Sequence, residues 1–192
     1  MLTEADIIKG CQQNTASAQK MLYMRYAPVL KSVCLRYIKN REEAKDVLHD
    51  GFLKIFKHIG KYNGTGSFEG WLKRIVIHVA LDYIKKSQKI SFGSQSNLEN
   101  VPEEEESTYL HSEQLLNTGF SAQELLVLLH RIPEQYAAVF NLYYIDNLSH
   151  KEIAQAIEID ENTSRTRLHR AKIVLRKELE HELEKRQRAQ IL

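Results

Sequence analysis

The sequence predicts an all-α protein built as two small helical domains joined by a flexible acidic linker. Three observations carry this. The 192 residues include only 8 Gly and 3 Pro, too few for many short strands joined by turns. Apolar residues recur at helical spacing through most of the chain. Between Ser87 and Glu124 that spacing lapses, and Glu99, Glu103, Glu104, Glu105, Glu106, Glu113 and Glu124 face one lysine, Lys89. Each half is just long enough to bury its own core, which places the domains at 1–87 and 121–192 with a linker over 88–120.

The elements follow in order. After Asn14, read as an N-cap, Leu22, Tyr26, Leu30, Val33 and Tyr37 form one apolar stripe. Pro28 lies inside it and either kinks this helix or breaks it, because proline lacks a backbone donor and crowds the preceding turn. A second stripe comprises Ala44, Leu48, Phe52, Ile55 and Ile59. Gly60-Lys61-Tyr62-Asn63-Gly64-Thr65-Gly66 is a loop by composition. Ser67 then caps a helix carrying Phe68, Trp71, Leu72, Ile75 and Val79, expected to end near Ser87. The Ser-, Asn- and Gln-rich start of the linker offers little apolar surface to offset ordering entropy, although Leu115, Leu116 and Phe120 suggest local docking. Periodicity resumes at Leu125, Leu128 and Leu129, and again after Pro133 with Val139, Leu142 and Tyr143.

The most specific local pattern is Leu148-Ser149-His150-Lys151-Glu152-Ile153-Ala154-Gln155-Ala156-Ile157, then Glu158-Ile159-Asp160, then Glu161-Asn162-Thr163-Ser164-Arg165-Thr166-Arg167-Leu168. It reads as helix, turn, helix. Ser149 and Glu152 make a capping box, Ile153, Ala154 and Ile157 point inward, and small Ala154 lets the second helix cross closely. Many such turns place Gly where this chain has Glu158, so the turn is expected to use a conformation open to a side chain. From Asn162 to Lys177 there are six Lys or Arg residues and no acid, while Leu168, Ala171 and Leu175 keep an apolar stripe. A basic run alone reads as a solvated face; the capped helix ahead of it points to a helix entering a major groove. Asn162, Ser164, Arg165 and Arg167 would reach base edges or nearby phosphates, and Arg170 and Lys172 would meet phosphate.

Charge and composition exclude other classes. A net charge of +2 implies neither nucleic acid nor membrane by itself. Cys11 and Cys34 suit reduced, buried thiols, so a cytoplasmic protein is expected. The first residues lack a basic region followed by an apolar core, so no export signal is expected, and no apolar run approaches the roughly 20 residues needed to span a bilayer. Gly-x-Ser-x-Gly, Cys-x-x-Cys, His-Glu-x-x-His and Walker patterns are missing, so no enzyme, no cofactor and no metal site is expected.

Four blocks in order resemble the extracytoplasmic-function sigma factors, over about Ala18 to Leu179. They are Leu22-Tyr23-Met24-Arg25-Tyr26-Ala27-Pro28; Arg41-Glu42-Glu43-Ala44-Lys45-Asp46-Val47-Leu48-His49-Asp50-Gly51-Phe52; Gly66-Ser67-Phe68-Glu69-Gly70-Trp71-Leu72-Lys73-Arg74-Ile75 running into Ala80-Leu81-Asp82-Tyr83-Ile84-Lys85-Lys86; and Arg131-Ile132-Pro133-Glu134-Gln135-Tyr136 through the helix-turn-helix. The resemblance implies that the protein binds core RNA polymerase and directs promoter-specific initiation. The N-terminal domain would capture the melted minus-10 element and the C-terminal domain the minus-35 duplex, with an anti-sigma factor as a further partner. It also implies polymerase docking through Asp46, His49 and Asp50, which share one helical face. Tyr62, Asn63, Ser67, Lys73, Arg74, Lys85 and Lys86 form a plausible surface for the unpaired minus-10 strand. Trp71 either stacks on a base there or packs with Phe68, Leu72 and Ile75. The family usually has Asn at the position of His78, so no role is carried over to that residue. The alternative is a homodimeric regulator that binds a palindromic operator through the same helix-turn-helix.

Overall fold

The computed structural model describes residues 3–87 and 119–190, which belong to two compact units, Met1–Ile90 and Ser91–Leu192. Among the described residues every regular element is helical. The linker expected over 88–120, with Leu115 and Leu116, lies outside the described residues apart from Gly119 and Phe120.

The first unit comprises α1 (Glu4–Gln12), α2 (Ala16–Tyr37), α3 (Arg41–His58), a 3₁₀ turn (Ile59–Lys61) and α4 (Phe68–Ser87). Helix α1 precedes the first stripe read from the sequence, and its signal is a Thr3/Asp6 capping box. Asn14 does not cap α2. It takes the left-handed conformation, φ 56°, that closes α1, and Thr15 is the residue before α2; a short amide tolerates that region as well as it caps. Pro28 neither breaks α2 nor ends it. Its missing N–H frees the carbonyl of Met24, and both residues lie on the exposed face, where solvent can take the bond. Leu22, Tyr26, Leu30, Val33 and Tyr37 of α2, and Ala44, Leu48, Phe52 and Ile55 of α3 with Ile59 just after it, are all buried. In α4 the deepest residues are Phe68, Leu72, Val76, Ile77, Ala80, Leu81 and Ile84; Trp71, Ile75 and Val79 are half-buried at the edge of that face. Gly51 lets α3 and α4 meet, since a Cβ there would stand 3.0 Å from Val76.

The second unit comprises α5 (Ala122–Arg131), α6 (Glu134–Phe140), a π turn (Asn141–Ile145), α7 (His150–Ile157) and α8 (Glu161–Gln190). Glu124, counted above with the acidic stretch, is the third residue of α5, and its carboxylate closes a capping box with Ser121. The incoming chain is held to the far end of α8. The Arg186 guanidinium lies 3.8 Å from the Phe120 ring centroid, donates to the Gly119 carbonyl at 3.3 Å and pairs with Glu124. Ile153 and Ile157 of α7 and Leu168, Ala171, Leu175 and Leu179 of α8 are buried together with Leu128, Ile132, Val139 and Leu142.

The turn between α7 and α8 departs from expectation. Glu158 adopts φ 56°, ψ 50°, the left-handed region that favours glycine, and its N–H bonds to Ala154 O. The close crossing dictates this geometry, and a side-chain-bearing residue accepts a cost of about 1–2 kcal/mol to meet it. Glu158→Gly is expected to raise the stability of the second unit by about 1 kcal/mol, read as a higher midpoint in thermal unfolding. An unchanged or lower midpoint would show that the Glu158 side chain offsets the strain.

Candidate nucleic-acid interface

The candidate recognition surface is built from the start of α8. Asp160 caps it, accepting from Thr163 N at 2.7 Å and from Thr163 Oγ1 at 2.5 Å. These hydrogen bonds hold the Asp160 carboxyl below its ordinary range. Asn162, Arg165 and His169 are exposed on the outward side, with Lys172 half-buried one turn on. Arg165 reaches back to Glu161 at 2.6 Å, an exposed pair that a stronger acceptor can replace. Lys172 lies 5.8 Å from the centre of the Tyr144 ring.

Two residues assigned above to base reading face the other way. Ser164 is 0% exposed and Arg167 is 8% exposed. Both sit four residues before core positions, Leu168 and Ala171, so helical phase carries them onto the packed stripe. The Ser164 hydroxyl lies 2.9 Å from His150 Nδ1, joining α7 to α8, and burial lowers the pKa of the Arg167 guanidinium. Arg170 is also turned inward, donating to the Tyr136 hydroxyl at 3.0 Å. His169 is the residue that charge counting missed: counting turns outward from Arg165 finds it, but a histidine adds nothing to a tally of Lys and Arg.

His150 stacks on Tyr143 with ring centroids 4.7 Å apart. Its pKa is lowered, chiefly by burial and then by the nearby Arg165 charge, with Glu161 opposing and Lys172 adding to the effect. The native state therefore favours neutral imidazole, whereas the unfolded chain takes up a proton near the ordinary histidine value of about 6.5. Stability from this group is complete above that pH and declines as pH falls toward the folded-state value. Thermal melts between pH 7.5 and pH 5.5 are expected to show a loss that His150→Asn reduces; identical slopes for both proteins would refute this.

In the first unit, the loop after α3 is ordered by its own side chains. Asn63 Oδ1 accepts from Thr65 N at 3.1 Å, Tyr62 OH donates to Gly66 O at 3.0 Å, and Ser67 Oγ accepts from Gly70 N at 3.0 Å. Gly64 and Gly66 take φ values of 81° and 76°. Tyr62, Phe68 and Trp71 form one aromatic cluster, with Trp71 stacked on Phe68 at 5.9 Å and 5.4 Å from Tyr62. Trp71 is thus half-buried, packed on one side and open on the other. Arg74, His78 and Lys86 of α4 are exposed, and Lys85 is half-buried. Lys73 does not join them. It continues the stripe of Ile77, Ala80 and Ile84 and pairs with Glu69 at 2.7 Å.

Asp46, His49 and Asp50 are all exposed along one side of α3, opposite buried Val47, Leu48, Gly51, Phe52 and Ile55. Leu53, one turn further, is 55% exposed, an apolar side chain beside the acidic pair that periodicity alone did not reveal. Cys11 and Cys34 are buried free thiols, and burial pushes the Cys34 thiol up to about 12.

Residues 22–90 match Sigma-70 region 2 and residues 122–175 match Sigma-70, region 4, together more than half of the chain. The chain belongs to the extracytoplasmic-function sigma factors. This sigma factor is 23% identical over 183 residues to the ECF RNA polymerase sigma-E factor of Haemophilus influenzae, covering 93% of the chain and 96% of that protein. It is 27% identical over 164 residues to the ECF RNA polymerase sigma factor SigW of Bacillus subtilis, covering 80% and 84%. Among solved structures it shares its fold with the sigma factor RpoE in complex with the anti-sigma factor NepR from Bartonella quintana. The TM-score is 0.53 at 17% identity, covering 84% of this chain and 96% of that one. The sigma factor directs promoter-specific transcription initiation, the task of a regulatory family that binds core RNA polymerase and promoter DNA. Among the described residues no helix is long and apolar enough to cross a membrane, and no group of three or more His, Cys, Asp or Glu is placed to hold a metal ion.

Proposed function

We propose that the two units divide promoter recognition between them, with residues 1–87 serving the polymerase and the melted strand, 88–120 as tether, and 121–192 serving the duplex. The observation that carries this is the split face of α8. Ser164, Arg167, Leu168 and Ala171 pack inward while Asn162, Arg165, His169 and Lys172 lie outward behind a capped helix and tight turn. Such a helix presents base-reading and phosphate-binding groups to a major groove without disturbing its own core. Here Asn162 and Arg165 read the minus-35 element, and His169 and Lys172 meet its backbone.

In the first unit, Tyr62, Asn63, Ser67 and the open side of Trp71 hold bases of the melted minus-10 strand, and Arg74, Lys85 and Lys86 neutralise its phosphates. Asp46, His49 and Asp50 dock on core polymerase. Tethering two weak readers raises affinity for promoters whose elements are correctly spaced. The reading places the protein in the cytoplasm with the polymerase, without catalytic chemistry of its own. The solved complex of RpoE with NepR supports an anti-sigma factor as a further partner.

The test is co-elution of the purified protein with bacterial core polymerase, followed by transcription from a library of duplex promoters. Binding with promoter-selective transcripts is expected. Failure to bind, with recognition of a palindromic duplex by the free protein, would overturn the reading in favour of a homodimeric operator-binding regulator.

A further inference from the structure

Helix α1 lies outside the residues that match region 2, which begin at 22, yet it is seated firmly. Gly10 makes the seat possible, since a Cβ there would stand 2.5 Å from the Cβ of Ala18 on α2. Ile7 and Cys11 are buried, and the Glu4 carboxylate accepts a hydrogen bond from the Tyr26 hydroxyl, which helps push that phenol up to about 12 after the larger effect of burial. A helix fixed this well can serve as a support for something else.

What it supports is the turn before the loop. Gln12, the last residue of α1, donates through Nε2 to Ile59 O at 3.3 Å and lies 3.5 Å from Tyr62 O. Those two carbonyls bracket the 3₁₀ turn Ile59–Lys61, which is itself closed by Tyr62 N donating to Ile59 O at 3.1 Å. One side-chain amide from a distant helix therefore sets both ends of the turn. Tyr62 then carries the position onward, through its hydroxyl to Gly66 and through its ring to Phe68 and Trp71. Asn63 follows it directly. We propose that Gln12 is a positioning residue for the loop over 62–67, holding it in the pose that captures the unpaired minus-10 strand. The inference rests on the assignment of that loop to the melted strand.

The experiment uses the full chain bound to core polymerase and a fluorescent single-stranded oligonucleotide. Its sequence is the non-template strand across the minus-10 element of the strongest promoter from the library. Gln12→Met keeps the length and loses the donor, and Gln12→Glu keeps the shape and can only accept. Both are expected to weaken oligonucleotide capture about fivefold, the size of one ordinary hydrogen bond. Affinity for core polymerase should stay at the wild-type value, and the melting temperature should fall by no more than the few degrees that one hydrogen bond accounts for. Gln12→Lys, which restores a donor on a stem of similar reach, should recover most of the loss. A merely structural role would move stability and polymerase affinity together with strand capture, and that result would overturn the proposal. So would a loss that Gln12→Lys does not recover, or wild-type capture by Gln12→Met and Gln12→Glu while Asn63→Ala loses it. If Asn63→Ala also captures the strand normally, the failure lies with the assignment of the loop, and the proposal falls with it.

Discussion

Replacing Arg165 and Lys172 together by alanine is expected to lower minus-35-dependent transcription about 100-fold while core polymerase is captured as before. Arg165 is exposed in the first turn of α8, where a guanidinium can make a bidentate contact to a base worth about 1–3 kcal/mol. Its present partner, Glu161, is an exposed neighbour on the same helix, so releasing it costs less than about 1 kcal/mol. Lys172 lies about two turns on, where it would meet phosphate, and its loss should weaken all sequences alike and flatten the salt dependence. Together these terms come to about 3 kcal/mol, or two powers of ten. Arg167→Ala is the informative comparison. At 8% exposure its guanidinium is packed within the unit, so its removal should lower the melting temperature before it alters promoter choice. Transcription within twofold of wild type in the double variant would remove α8 from the recognition surface.

The second large effect is expected from Asp46→Ala with Asp50→Ala, which should weaken capture of core polymerase at least tenfold. Both carboxylates stand on the exposed side of α3, and truncating a charge that becomes desolvated and paired in an interface costs about 2–5 kcal/mol. Exposed Leu53 beside them supplies apolar area that helps exclude water from such a contact. The opposite side of α3, with Val47, Leu48, Gly51, Phe52 and Ile55, is untouched by these substitutions, so the fold should survive. The check is a binding titration against core polymerase with a thermal melt of the free protein alongside. Equal affinity for the double variant and the wild type would end the docking assignment.

Helical phase explains where reading the chain succeeded and where it stopped. In α2 and α3 the stripes named from spacing are the buried residues, because long amphipathic helices repeat their pattern often enough to average out single exceptions. In α8 the same stripe, Leu168, Ala171 and Leu175, was legible, and stepping back four residues from its first two members would have placed Ser164 and Arg167 inside. Polar identity hid them, since a serine bonded to His150 and an arginine packed within the unit are core residues only by virtue of their neighbours.

The sequence by itself determined the all-helical class, the two-domain order, the caps at Ser67 and Ser149 and the four blocks that mark the family. These depend on local chemistry and on periodicity, which are written along the chain. The tertiary structure alone decided that α2 continues through Pro28, that Glu158 takes a left-handed turn, that Arg167 and Arg170 face inward, and that Gln12 reaches from the end of α1 to the turn before the loop. Each of those outcomes is set by partners distant in sequence or by solvent on one face, where packing and hydrogen bonding outweigh the preference of a single residue.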